Sequence, residues 1–468
     1  MTGPVGPAGS GSAGGTDGAA PRGSAIPAAF ASVMGWAFDL FDLFLLLYVA
    51  GPVGHQIFPA SSETLSLALV FASFAVSILM RPGGAAIFGH LADRIGRKRI
   101  MVSVLLGLGF ATAAMGVVPT YAVIGLAAPV IFLALRVVQG LFVGGVTATT
   151  HTLGTETVAP RWRGLMSGLI GGGGAGIGAA MASVAFIVVT QFYPGEAFDR
   201  WGWRIMFFTG ILGALLSLFV LRKVDESPMW VRAQAAPSSQ QPPAPRMRMR
   251  DLVTGRYRVV FLINVAVAAG AGAQYYLTSG FLPTTLDSIM GVRAGARGDI
   301  LLVASLGVIA AAVLAGELCE HIGRRRTMLI VGATNLVALP LLTWALVSTD
   351  RSEHGLILLI SLVLTFFANA SYAPVMIFLN ERYPTQLRSR GTAISWNTGF
   401  MLGGLLPTFV NLLSPQIEDV PSRLIAFLIG SVIVFLLAVG FSPETRGALD
   451  RDEGTGARTG ATPMSTSD

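Results

Sequence analysis

The chain has 468 residues, of which 53% are hydrophobic and only 12% charged; a soluble domain carries about 25% charge, so the composition points away from a soluble protein and towards a membrane one. The net charge of +7 does not point to nucleic acid, because the basic residues sit in short loops between long apolar runs. Cys319 is the single cysteine, so no intramolecular disulfide can form.

Residues 1–27 are mostly Gly, Ala, Pro and Ser and lack the basic start and apolar core of a signal peptide, so they read as a disordered tail. Twelve apolar runs follow, each long enough to cross a bilayer. Six lie at 28–50, 64–88, 100–118, 124–153, 165–192 and 203–221, giving an N-terminal bundle over 28–222. A linker at 223–257 carries PSSQQPPAP and RMRMR, too polar to span and too rich in proline for a long helix. Six more runs lie at 259–282, 299–319, 327–347, 355–379, 391–413 and 422–441, giving a C-terminal bundle over 258–441 and a second tail over 442–468. The expected fold class is an all-α membrane protein with twelve transmembrane helices in two pseudo-symmetric six-helix bundles. With the N-terminus inside, inner segments hold 24 of the 32 basic residues, which predicts both termini in the cytoplasm and a multi-pass protein of the cell membrane.

Ionisable groups inside the spans need a reason, since each costs at least ~2.5–3.5 kcal/mol at mid-bilayer. Asp39 and Asp42 share one face of the first span with Trp36. Such carboxylates can load and release a proton; the alternative is a pair of structural hydrogen bonders. Arg136 lies halfway along the fourth span and stays protonated, so it can hold a substrate carboxylate, pair with Asp39 or Asp42, or alternate between them. Arg81 lies low in the second span, as an anion contact or a structural group. The second half offers neutral polar candidates for substrate contact: Gln274, Tyr275, Tyr276, Asn369, Tyr372, Trp396 and Asn397. Pro374 and Pro407 are expected to bend the tenth and eleventh spans.

One loop occurs twice. GHLADRIGRKR at 89–99 nearly recurs as GELCEHIGRRR at 316–326, with Gly89, Leu91, Asp93, Gly96, Arg97 and Lys98 offset by 227 residues from Gly316, Leu318, Glu320, Gly323, Arg324 and Arg325. Gly89 and Gly316 would let another helix approach, Gly96 and Gly323 would let the chain turn, and Arg94 adds a further base. Asp93 and Glu320 would complement the N-terminus of the next helix and pair with an arginine.

This loop resembles the repeated signature of the major facilitator superfamily, and the resemblance runs from 28 to 447. RVVQGLFVGG at 136–145 is similar to that superfamily's fourth-span signature. Glu156, Pro160, Arg163 and Gly164, and Glu381, Pro384, Thr385, Arg388 and Gly391, resemble its loops after spans four and ten. VDESPMW at 224–230 and PETRG at 443–447 resemble segments that close the two halves of sugar and metabolite porters. GWAFDLFDLFLL at 35–46 and RPGGAAIFGHLADRIGRKR at 81–99 are similar to metabolite:proton symporters, most of all to their sialate and monocarboxylate branch. Val146 stands where those symporters usually carry a glutamate.

The resemblance implies a monomeric transporter that works by alternating access, with a small organic anion and protons as partners, the bilayer as solvent, and no nucleic acid, cofactor or metal. Its function would be proton-coupled uptake of a mono- or dicarboxylate, aromatic acid or sialate. Export of a drug or metabolite, or sensing without flux, are the alternatives. No nucleotide loop, metal cluster or nucleophile motif suggests an enzyme.

Overall fold

The computed structural model describes residues 22–158, 166, 168–227, 231, 254–372, 374–383 and 385–446. The side chains of 22–25, 93, 148, 152, 155, 156 and 385–390 lie outside the description. The described residues form long helices: α1 (Ile26–Tyr48), α2 (Glu63–Ala92), α3 (Arg97–Met115), α4 (Ala127–His151), α5 (Leu169–Phe192), α6 (Phe198–Lys223), α7 (Arg258–Ile289), α8 (Ala294–Ile322), α9 (Arg324–Ser348), α10 (His354–Glu381), α11 (Thr385–Leu412) and α12 (Ile417–Gly440). Eleven of them are long and apolar enough to cross a membrane. The exception is α11, which the sequence places at 391–413. It is long enough, but it is more polar, because it buries Thr392, Ser395, Asn397 and Asn411 against its neighbours. Hydropathy reports the lipid-facing surface best, and α11 has less of it. The chain is an all-helical, multi-pass membrane protein.

Packing repeats with a period of six helices. The pairs α1–α5, α2–α4 and α3–α6 in the first half return as α7–α11, α8–α10 and α9–α12 in the second. Small residues make the close approaches. A Cβ on Gly84 would strike the carbonyl of Leu141, and one on Gly140 would strike that of Ser77, so α2 and α4 touch backbone to backbone. In the second half, a Cβ on Gly403 would lie 2.5 Å from the Ala273 nitrogen, between α11 and α7. The halves meet along α2–α11 and α5–α8. Of the linker expected at 223–257, residues 228–230 and 232–253 lie outside the description.

We call the end that carries the two basic repeats the inner end. At the outer end the halves are closed on each other. Phe71 of α2 stacks on Phe281 of α7 at 5.2 Å, and Arg297 of α8 lies over the Phe186 ring of α5 at 5.4 Å. Several helices depart from regular α geometry near the centre. In α7, π-helical turns at Tyr276–Gly280 and Thr285–Ile289 flank Pro283, and α10 breaks between Ala370 and Val375 at Pro374. Pro407, expected to bend α11, lies inside an unbroken helix.

Candidate functional site

The i, i+3 spacing of Asp39 and Asp42 points both carboxylates from α1 into the first half, where they are almost fully buried. Their partners differ. Asp39 pairs directly with Arg81 of α2, Oδ1 to Nη2 at 3.1 Å and Oδ2 to Nη1 at 3.4 Å, a two-pronged ion pair. The sequence left Arg81 between an anion contact and a structural role; the structure makes it the partner of Asp39.

Asp42 reaches Arg136 only through a third residue. Its Oδ1 accepts hydrogen bonds from Thr112 of α3 and, at 2.6 Å, from Nε2 of Gln139. The same Nε2 lies 2.9 Å from the Thr112 hydroxyl, and Gln139 Oε1 accepts from Arg136 Nη1 at 2.5 Å. Arg136 is 1% exposed and lies over the Phe132 ring at 5.5 Å, yet its Nε and Nη2 have no hydrogen-bond partner among the described residues. Buried charged donors normally find acceptors, so these two are open positions for an incoming one. Gln139 and Thr112 were not singled out from the sequence. Gln139 stands inside the quoted RVVQGLFVGG motif, and only its contacts reveal it.

Across the interface, the second half presents rings rather than charges. Tyr275 stacks on Tyr372 at 5.6 Å and meets Tyr276 edge-on at 5.3 Å. Tyr372 meets Trp396 at 5.3 Å and Phe400 at 5.4 Å, and Trp396 stacks on Phe400 at 4.1 Å. Tyr275 meets Phe44 of α1 edge-on at 6.3 Å and Tyr276 meets Phe74 of α2 at 5.5 Å, which sets the tyrosine cluster against the two helices that carry Asp39 and Arg81. The hydroxyl of Tyr275 is buried with no hydrogen-bond partner among the described residues. Thus Trp36, Asp39, Arg81, Tyr275, Tyr276 and Tyr372 come together at the centre. The arrangement can hold a carboxylate at the arginine and an apolar or cationic group among the rings.

Three other candidates point elsewhere. Gln274 turns to α9, where its Oε1 accepts from Asn335 Nδ2 at 2.7 Å. Asn369 donates to Ser279 of α7 at 2.9 Å and to its own helix. Asn397 donates to the Ala393 carbonyl within α11.

The repeated loops are built as turns closed by distant carboxylates. Gly96 and Gly323 have φ of 115° and 100°, a conformation that favours glycine. Glu226, just past α6, accepts from the backbone N–H of Arg97 at 2.8 Å and of Lys98 at 3.2 Å. Glu444, just past α12, accepts from those of Arg324 at 2.8 Å and Arg325 at 3.1 Å. Each carboxylate therefore caps the free donors of a helix N-terminus. Glu320 closes α8 rather than capping α9, which corrects that part of the expectation, and it pairs with an arginine as expected, Arg324 at 2.8 Å. Arg324 also meets Glu381 of α10 at 3.3 Å, and Thr445 donates to Glu381 at 2.6 Å. Gly316 is a second correction: a Cβ there would meet nothing within 4 Å among the described residues, so no helix needs the space. Gly89 lies within helix α2, whose helical turn runs on past the apolar span to Ile95 and leaves Arg94 exposed there. Arg163, and the side chains of Asp93, Glu156 and Arg388, lie outside the described residues. Val146 is fully buried in the core.

The model of the Major Facilitator Superfamily matches residues 25–406 and 265–465. The chain is 30% identical over 399 residues to the inner membrane metabolite transport protein YhjE of Escherichia coli (strain K12), covering 81% of this chain and 86% of that protein. It is 24% identical over 416 residues to the proline/betaine transporter of Salmonella typhimurium, covering 88% and 82%. Among solved structures, the D-xylose-proton symporter aligns with TM-score 0.71 at 17% identity over 91% of this chain and 99% of that one, a likeness of fold.

Proposed function

We propose a proton-coupled transport cycle for this chain, which belongs to the Major Facilitator Superfamily and is therefore a membrane transporter of small solutes and not an enzyme. In this reading it takes up a small metabolite that carries a carboxylate, by alternating access. It sits in the inner membrane with both termini in the cytoplasm and works as a monomer.

The observation that carries the reading is the buried Asp39–Arg81 pair, held between the two helices against which Tyr275 and Tyr276 pack. A substrate carboxylate that takes both Nη groups of Arg81 must displace Asp39. An ionised Asp39 left alone would be an uncompensated buried charge, which costs about 3–5 kcal/mol. A proton on Asp39 removes that cost. Substrate binding and proton binding are then favourable together and unfavourable apart, which is the thermodynamic content of symport. Asp42 and Arg136 form a second proton-sensitive pair beside it. In the present conformation the outer end is closed, so rocking of one half against the other along α2–α11 and α5–α8 would open it. The two basic repeats, with Glu320, Glu381 and the capping glutamates, brace the inner end through that motion.

Uptake into proteoliposomes under an inward proton gradient, in the presence and absence of a protonophore, tests the cycle. Accumulation above equilibrium that collapses with the protonophore supports it; uptake that never exceeds equilibrium removes proton coupling.

The ring cluster favours a second reading of the substrate. A zwitterion would place its carboxylate at Arg81 and its ammonium among Tyr275, Tyr276, Tyr372 and Trp396, where a cation over a ring gains about 0.5–2 kcal/mol. The relatives named for proline and betaine support this reading over sialate or a simple monocarboxylate. Competition of glycine betaine against propionate for uptake separates the two: the zwitterion reading requires the betaine to win.

A further inference from the structure

We propose that Gln139 is a positioning residue for coupling: it holds Asp42 and Arg136 one amide apart and passes the protonation of the first to the second. The inference rests on the proton-symport reading above.

Gln139 sits one turn along α4 from Arg136 and is fully buried. Its amide has one possible orientation. A guanidinium offers only donors and an ionised carboxylate only acceptors, so Oε1 must face Arg136 and Nε2 must face Asp42. Turning the amide over would lose both bonds.

The spacing matters because of what it prevents. A carboxylate in direct contact would take two guanidinium donors in a fork and lock the pair. The amide takes Nη1 alone, which leaves Nε and Nη2 of Arg136 without partners among the described residues. Gln139 thereby keeps a buried cation half-satisfied, ready for another acceptor.

The amide also responds when Asp42 takes a proton during the transport cycle. The carboxyl then carries an O–H and accepts less strongly. The Thr112 hydroxyl can rotate to accept from it, whereas Gln139 Nε2 can only donate. The hold on Nε2 weakens, and Oε1, rigidly attached to it, loosens its grip on Arg136 Nη1. Arg136 keeps its own proton throughout, and no other bond is made or broken.

The test uses the purified full-length protein and needs no known substrate. An infrared pH titration follows the protonated-carboxyl band assigned to Asp42 by its loss in Asp42→Asn. Gln139→Met keeps the length and removes the amide; Gln139→Glu keeps an acceptor for Arg136 and removes the donor to Asp42. Both variants should move the midpoint by about 0.5 pH unit or more, the size of one hydrogen bond to a carboxylate. The pH of half-maximal uptake, read with glycine betaine or succinate, should move with it, which a residue that only fills space would not cause. If Gln139→Met does not yield folded protein, Gln139→Glu decides. A midpoint within about 0.1 unit of wild type in a folded variant overturns the inference. Absence of proton-driven uptake by the wild type would instead overturn the symport reading, and the titration would still decide whether Gln139 positions Asp42.

Discussion

The two halves solve one packing problem with different chemistry. In the first half, α1, α3 and α4 are tied by Asp42, Thr112, Gln139 and Arg136. In the second, the equivalent α7, α9 and α10 are tied by Gln274, Asn335 and the Phe367 carbonyl, with Asn335 Nδ2 donating at 2.7 and 3.0 Å. Both networks bury polar groups and pair most of them; among the described residues Arg136 Nε and Nη2 and Asn335 Oδ1 stay without hydrogen-bond partners. Only the first can change charge. Amides hold a helix bundle together without titrating, so in the proposed cycle the second half would present its rings to a solute at any pH while the first half would respond to protons. Pseudo-symmetry supplies the frame, and the asymmetry of charge assigns the work.

The comparison breaks most readily at Asp39 and Arg81. Asp39→Asn should abolish proton-driven accumulation, a fall of about 100-fold or more in the steady-state ratio, because substrate can then take Arg81 without a proton. Arg81→Gln should also stop uptake and should lower the yield of folded protein, since it strands Asp39. Combining Asp39→Asn with Arg81→Gln should restore the yield but not the uptake, measured by size exclusion and by flux.

The neutral network offers the contrasting test. Asn335→Leu alone leaves Gln274 without its partner and should cost about 1–3 kcal/mol in stability. Pairing it with Gln274→Leu should cost less than Asn335→Leu alone, and the pH of half-maximal uptake should stay where it is in the wild type. A pH profile that moved with Gln274 would erase the distinction between the halves.

The smallest effects belong to the caps that the halves share. Glu226→Ala and Glu444→Ala should each lower stability by about 0.5–2 kcal/mol, the usual worth of a helix cap. For Glu444 the pH dependence can be signed. Partial burial raises its pKa, but the backbone N–H groups of Arg446, Arg324, Thr445 and Arg325 outweigh that and hold it below the usual 4.5. A depressed carboxyl stabilises the fold above the unfolded value and loses that contribution as pH falls through the folded one. The Tm gap between wild type and Glu444→Ala should therefore be full at pH 7 and shrink below about pH 4.5.

Much of this was legible in the chain. The 227-residue offset of the basic loops announced the repeat, and the spacing of Asp39 and Asp42 announced their shared face. Contacts between distant helices were not legible. Nothing local marks Arg81 rather than Arg136 as the partner of Asp39, because both are arginines inside spans. Glu226 and Glu444 lie 218 residues apart rather than 227, so they fall out of the repeat's register, and each caps a helix more than a hundred residues away. Hydropathy understated α11 because its polar residues face protein. Gln274, Asn369 and Asn397 looked like site residues by type, and only their partners show which way each one turns.

The measurement closest to the centre of this account is steady-state accumulation of glycine betaine and of succinate in proteoliposomes under an inward proton gradient, wild type beside Asp39→Asn. The account predicts that the wild type concentrates at least one of them and that the variant stops at equilibrium. A variant that concentrates the same solute as far as the wild type would contradict it.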